Sequence, residues 1–415
     1  MKKKLAGLLV LGAAMLTAAA CQSDEDLTSA WKGGTYDLTI WCAEEVVSLT
    51  TSQLNTFVSQ YEGTTINFKV EAVGEGDAAS SMLTDVTASA DIYCFAQDQL
   101  SRLVNASALT PIGGTYANQI KENNDGGSVA AASVGDLVYS FPLTSDNGYY
   151  MYYDKTVVSA DHIDSLTDII ADCKTAGKKI YFEGTSAWYN AAFFFGTGCE
   201  STWTTDSSGA FTGYTDDYDS DKGLIAAKGM YELLSESKVY VSGSNAGTGF
   251  GSGAAVVVSG TWDYSAAVEA LGDNLGCADL PSFTVDGSSY HLGSFSGNKL
   301  MGVKPHTDAA TAALCNSIAA YLTGYDCQME RFNSKSWGPS NKEAQGSEAV
   351  QASPSLAALA AQNEYATPQG QYPGDWWNVA GAIGSSIAAS DGSETALKSI
   401  LSTYSSSLSG MVTTA

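Results

Sequence analysis

Residue types that carry chemistry are sparse in this sequence, and where they cluster their spacing falls short of a catalytic site. Gly74-Glu-Gly-Asp-Ala-Ala79 fits the glycine spacing of a dinucleotide-binding loop. Glu75 and Asp77, however, put negative charge where a pyrophosphate would sit. The segment therefore reads as a strand-to-helix loop facing a cleft. Asp217-Tyr-Asp-Ser-Asp221 opens like a calcium loop. The bidentate glutamate of such a loop should fall where Lys228 stands, and Gly223 comes one residue late. Acids at a helix start, favoured by the helix dipole, explain the run better. His162, His291 and His306 are the only histidines and are isolated from one another. The chain contains no H-E-x-x-H, G-x-S-x-G or G-x-x-x-x-G-K-[ST] segment. The expectation is a chain with no catalytic residues, no metal and no cofactor. It does not hydrolyse ATP, so any energy source lies in another subunit.

The elements that must position a binding site alternate along the chain. Leu38, Ile40 and Cys42 have strand period, and Leu54, Phe57, Val58 and Tyr61 lie on one helix face. Ile66, Phe68, Val70 and Ala72 return to period two, and residues 91–96 form a short apolar run. Residues 137–143, 180–182, 254–258 and 300–303 read as further strands. Leu100, Leu103 and Val104 suggest a helix, as do Leu224, Ala227, Tyr231 and Leu234, and then Leu314, Ile318, Tyr321 and Leu322. This alternation predicts an α/β protein with sheets flanked by helices on both faces. A chain of 415 residues is long enough for two or more domains.

The first residues look like an export signal. Lys2, Lys3 and Lys4 precede an apolar run over residues 5–16, then Ala18, Ala19, Ala20 and Cys21. The run is shorter than the roughly 20 residues that span a bilayer. A cysteine directly after small residues resembles the bacterial lipoprotein signal, although Ala18 stands where leucine is usual. On this reading residues 1–20 are a signal peptide, Cys21 is lipidated, and residues 21–35 form a polar tether. The chain would be held at the outer face of the cell membrane. Net charge is −25 and becomes three units more negative once the leader lysines are gone. Such a surface repels phosphate backbones, so nucleic acid is excluded as a partner. Setting Cys21 aside leaves seven cysteines without C-x-x-C spacing, within apolar patterns. They read as buried free thiols.

Several segments, in this order, resemble the extracytoplasmic solute-binding proteins that include the maltose- and maltodextrin-binding proteins. They are Thr39-Ile-Trp-Cys-Ala-Glu-Glu45, the Gly74 segment above, and Ala90-Asp-Ile-Tyr-Cys-Phe-Ala-Gln-Asp98 followed by Leu109-Thr-Pro-Ile112. Gly148-Tyr-Tyr-Met-Tyr-Tyr-Asp-Lys155, Ser259-Gly-Thr-Trp262, Pro368-Gln-Gly370 and Asp375-Trp-Trp377 complete the set. The resemblance implies a two-lobed fold, each lobe a sheet flanked by helices, joined by a hinge. Crossings are expected at residues 142–148, 292–297 and 337–339. They divide the chain into an N-lobe of residues 36–143 plus 293–338 and a C-lobe of residues 144–292 plus 339–415.

The same resemblance implies ligand contacts from Glu45 (with Glu44 as substitute), Asp77, Phe95, Gln97, Asp98 and Asp146. It also implies aromatic contacts from Trp188, Tyr189, Trp262, and Trp376 or Trp377. Trp41 reads instead as core and Trp337 as hinge packing. Val46 and Gln99 replace basic residues of the best-known members. Aromatic rings can cover the apolar faces of a sugar, and carboxylates accept strong hydrogen bonds from its hydroxyls. The implied function is a monomeric, non-enzymatic binding protein. It would deliver an oligosaccharide, maltose- or maltodextrin-like, to the permease of an ABC importer with a separate ATPase. The alternatives are a binding protein for a peptide or polyamine, and a surface glycoside hydrolase with paired carboxyls.

Overall fold

A computed structural model describes residues 27–206 and 209–412. Residues 1–26, with the expected signal peptide, Cys21 and the start of the expected tether, lie outside the described residues. No described helix is long and apolar enough to cross a membrane.

Ten strands build two five-stranded sheets. In chain order they are β1 (Thr35–Cys42), β2 (Thr65–Ala72), β3 (Ile92–Ala96), β4 (Phe141–Thr144) and β5 (Tyr150–Asp154). β6 (Lys179–Tyr181), β7 (Tyr240–Val241), β8 (Ala254–Ser259), β9 (Leu275–Ala278) and β10 (Lys299–Val303) follow. The first sheet runs β2-β1-β3-β10-β4 and the second β7-β6-β8-β5-β9. Each begins with three parallel strands and then takes in an antiparallel one, β10 in the first and β5 in the second. β10 returns to the first sheet only after the second is complete. The α/β expectation therefore holds, and the predicted strands at residues 91–96, 180–182, 254–258 and 300–303 all form within a residue or two.

Strands covered on both faces should be apolar throughout. β3, β8 and β10 are buried at every position. In β5, alternate residues enter two different cores: Tyr149, Met151 and Tyr153 on one face, Tyr150 and Tyr152 on the other. A third cluster surrounds the first sheet. Within residues 27–34, read as the end of the tether, Trp31 is anchored on this lobe. Trp31 is 1% exposed, lies edge-on to Tyr61 at 4.7 Å, and donates its indole N–H to Ser317 Oγ at 3.1 Å. A large aromatic with a buried partner for its N–H gains more on the core than in solvent. Trp41 is only half-buried on the flank of the same core, its N–H donated to Glu71 Oε2 at 2.9 Å.

The crossings between the sheets are tied together. Ser145 N donates to Gly338 O at 3.1 Å, and Asn147 N donates to Gly297 O at 3.0 Å. All seven described cysteines are free thiols, buried except for half-buried Cys277. Burial pushes the thiols of Cys42, Cys199 and Cys327 up to about 11.

Helices α1 (Ala187–Gly196) and α2 (Gly374–Ala389) carry aromatic residues important below. Their approach depends on glycine. A Cβ at Gly384 would lie 1.7 Å from the Gly184 carbonyl oxygen, and one at Gly381 would lie 2.7 Å from that of Thr185. Buried Asn190 on α1 donates to Ala380 O on α2 at 3.1 Å. Gly384→Ala must push α2 off the 184–185 backbone. We expect a loss of about 1–3 kcal/mol, read as a lower denaturation midpoint in urea.

Candidate functional site

A cavity of about 680 Å³ lies between the two sheets and is within the range for small-molecule sites. The first sheet's lobe supplies Glu44, Glu45, Glu75, Asp77, Asp98 and Lys299. The other side supplies Trp188, Tyr189, Trp262, Trp377 and Gln369. Each wall arises where a strand gives way to a helix. Glu44 and Glu45 follow β1, Glu75 and Asp77 follow β2, and Asp98 follows β3. Trp262 follows β8, while Trp188 opens α1 and Trp377 lies in the first turn of α2.

The aromatic wall is held by stacking. Trp188 lies parallel to Phe295, 14° between planes and 5.0 Å between centroids, and 6.3 Å from Trp377. Phe295 thus covers one face of Trp188, Tyr149 meets it edge-on at 5.7 Å, and the indole also lines the cavity. Trp262 crosses from the second sheet to pack on the flank of the first sheet's core. Gly260 makes room for it, because a Cβ there would stand 2.2 Å from the ring.

Asp98 is 3% exposed and its Oδ1 accepts from Gln369 Nε2 at 3.0 Å, a bond between the two sides of the cavity. Burial pushes its carboxyl up to about 7, with the charge of Arg102 pulling it partly back. Burial also raises the Glu75 carboxyl, against the pull of Lys299. The Gly74 segment forms the loop between β2 and the short helix at Ala78–Thr84, as expected. Gln99 braces it. Its side chain donates to Glu75 O and Gly76 O at 2.6 and 2.8 Å, and accepts from Ala79 N at 2.7 Å.

The structure brings together seven of the expected contact residues around this cavity: Glu45, Asp77, Asp98, Trp188, Tyr189, Trp262 and Trp377. Four others lie elsewhere. Phe95 is fully buried beside Tyr93, 5.6 Å between ring centroids, because its strand is covered on both faces. Gln97 lies behind the wall, its amide donating to Gln369 O and accepting from Asn298 Nδ2. Asp146 is 2% exposed in the hinge, where its Oδ2 accepts from Thr261 Oγ1 and Gly338 N. Trp376 faces the core of α2, fully buried, and donates its N–H to Tyr404 at 3.1 Å. Of the adjacent pair, only Trp377 reaches the cavity. Sequence reasoning missed Lys299, Gln369, Asn147 and Ser186 as lining residues and did not assign Glu75 to a ligand. The signal for Lys299 was a lysine opening an apolar strand. The Asp217 run has its own partners: Lys222 pairs with Asp217 at 3.1 Å, and Ser220 caps the following helix at Asp221–Leu234. No cluster of potential metal ligands occurs among the described residues.

Residues 56–358 match the model of the bacterial extracellular solute-binding protein family, and the chain belongs to that family. No curated protein matches the sequence. Among solved structures, one described as being with acarbose is 26% identical, with a TM-score of 0.77 over 90% of this chain and 100% of the other. The maltodextrin-binding protein MalE1 of L. casei BL23, without ligand, is 20% identical, with a TM-score of 0.72 over 89% and 99% of the two chains. The Thermus thermophilus maltotriose-binding protein with maltotriose is 17% identical, with a TM-score of 0.73 over 89% and 100%. The family and these neighbours fix the two-lobed solute-binding fold and an extracytoplasmic setting.

The raised pKa of Asp98 has a consequence for stability. Unfolded, the carboxyl ionises near 3.8; folded, it keeps its proton to about 7. Protonation therefore stabilises the fold at low pH, and that contribution is lost as pH rises through this window. Asp98→Asn should gain stability over wild type from about pH 4 to about pH 7 and hold a constant lead above, as measured by denaturation curves across pH.

Proposed function

We propose that this chain binds a short oligosaccharide, maltodextrin-like, in the cavity between its lobes. A hinge would close over the sugar, and the closed form would present it to an ABC permease powered by a separate ATPase subunit. Closure follows from linkage: a ligand touching both walls favours the form that brings them together. The observation that carries the reading is the pairing of an aromatic wall, Trp188, Trp262 and Trp377, with a facing wall of carboxylates in one cavity. Aromatic faces suit the C–H surfaces of sugar rings, and carboxylates suit their hydroxyl rims. Neighbours solved with acarbose and maltotriose support the same ligand class. We assign Cys21 as the lipidated residue, holding a monomer at the outer face of the membrane. No covalent step is needed, so the chain acts as a carrier rather than an enzyme.

A second reading rests on the five carboxylates that line the cavity beside one lysine. That excess also suits a cationic polyamine. Calorimetric titration with maltose, maltotriose, longer maltodextrins and spermidine separates the two. Heat from maltotriose and none from spermidine is the expected result; silence across the sugars removes the proposal. Trp262→Ala should weaken sugar binding by about 2 kcal/mol, some thirtyfold. Trp376→Phe should lower the melting temperature and leave affinity unchanged, because Trp376 belongs to the core.

A further inference from the structure

Among the described residues Lys299 is the only basic one lining the cavity, and its position is unusual. Its side chain is 6% exposed. A buried ammonium normally finds hydrogen-bond acceptors, because desolvating it is costly. Here no described protein group accepts from Nζ. The ammonium instead stands over the Trp337 ring, 3.7 Å from its centroid, and 5.1 Å from that of Trp262. Cation–π attraction offsets part of the desolvation cost and fixes the nitrogen in place, but leaves its N–H donors unused.

Glu75 mirrors this arrangement. Its side chain is 11% exposed and comes no closer to Lys299 than 4.0 Å, outside hydrogen-bond range. Its Oε1 is buried and has no hydrogen-bond partner. The loop that carries it is braced by Gln99 through the Glu75 carbonyl, so the backbone from which the carboxylate projects is fixed. An acceptor and a donor therefore face the same cavity with unmet capacity, held a little too far apart to satisfy each other.

We propose that Glu75 and Lys299 form a clamp for two adjacent hydroxyls of one sugar ring. One hydroxyl donates to the carboxylate, and its neighbour accepts from the ammonium. A hydroxyl can do either, which suits a pair of opposite character. A free cation would meet Lys299 unfavourably and a free anion would meet Glu75 unfavourably. The clamp thus selects a neutral, polyhydroxylated ligand. This inference rests on the sugar reading above and adds the residues that discriminate within it.

The test is titration of wild type, Glu75→Gln, Lys299→Met and the double variant with maltotriose, after circular dichroism establishes that each is folded. Loss of one charge-assisted bond corresponds to about tenfold to hundredfold in affinity. Each single variant should lose that much, and the double variant should lose less than the product of the two. Folded single variants within threefold of wild type would make the pair purely structural and overturn the clamp. If Lys299→Met does not fold, Glu75→Gln decides by the same criterion. Wild type that binds spermidine as tightly as maltotriose would also overturn it, in favour of a cation site. Wild type that binds no sugar defeats the oligosaccharide reading itself, a result visible before any variant is made.

Discussion

The arrangement of this molecule depends on the hydrogen-bonded junction where the chain passes between its two sheets. Asp146 sits at its centre, buried, with one carboxylate oxygen accepting from Thr261 in one lobe's sequence and from Gly338 in another crossing. Ser145 bonds to Gly338 of that same crossing, and Asn147 bonds to Gly297 of the remaining one. Each sheet has its own core and could be built without the other. Together with the Asp98–Gln369 bond across the cavity, this junction sets the distance between the carboxylate wall and the aromatic wall. A polar cluster suits the task, because directional bonds specify register where apolar packing alone tolerates sliding.

The same junction explains which parts of the fold were legible in sequence. Strands such as Ile92–Ala96 and Ala254–Ser259 are short, apolar and fully buried, so their composition gave them away. Helix faces such as Leu54 and Phe57 carried a clear period. The anchoring of Trp31 was not legible, because it is a single aromatic in a polar stretch. Its burial depends on Tyr61 and Ser317, residues far away in the chain.

Site residues were harder to read, and the reason is geometric. Trp376 and Trp377 are adjacent, and a helix turns about 100° per residue, so one faces the core and the other the cavity. Nothing in the pair of letters says which. Phe95 and Asp98 belong to one short segment, but the first is inside a covered strand and the second is in the turn beyond it. Strand-to-helix transitions proved the reliable guide: almost every acid in the cavity stands just past the end of a strand. Lys299 escaped notice because it stands at the start of its strand rather than the end.

Seven free thiols among the described residues of an extracytoplasmic chain raise a separate matter, the durability of the protein in an oxidising medium. Thiolates are the species that react with oxidants and disulfides, and burial keeps these sulfurs protonated at neutral pH. Their protection is therefore kinetic and conformational, lasting as long as the fold does. Once the lobes open up on heating, seven accessible sulfurs in one chain can form mispaired crosslinks. Survival outside the cell is then governed by the rate of unfolding rather than by its equilibrium.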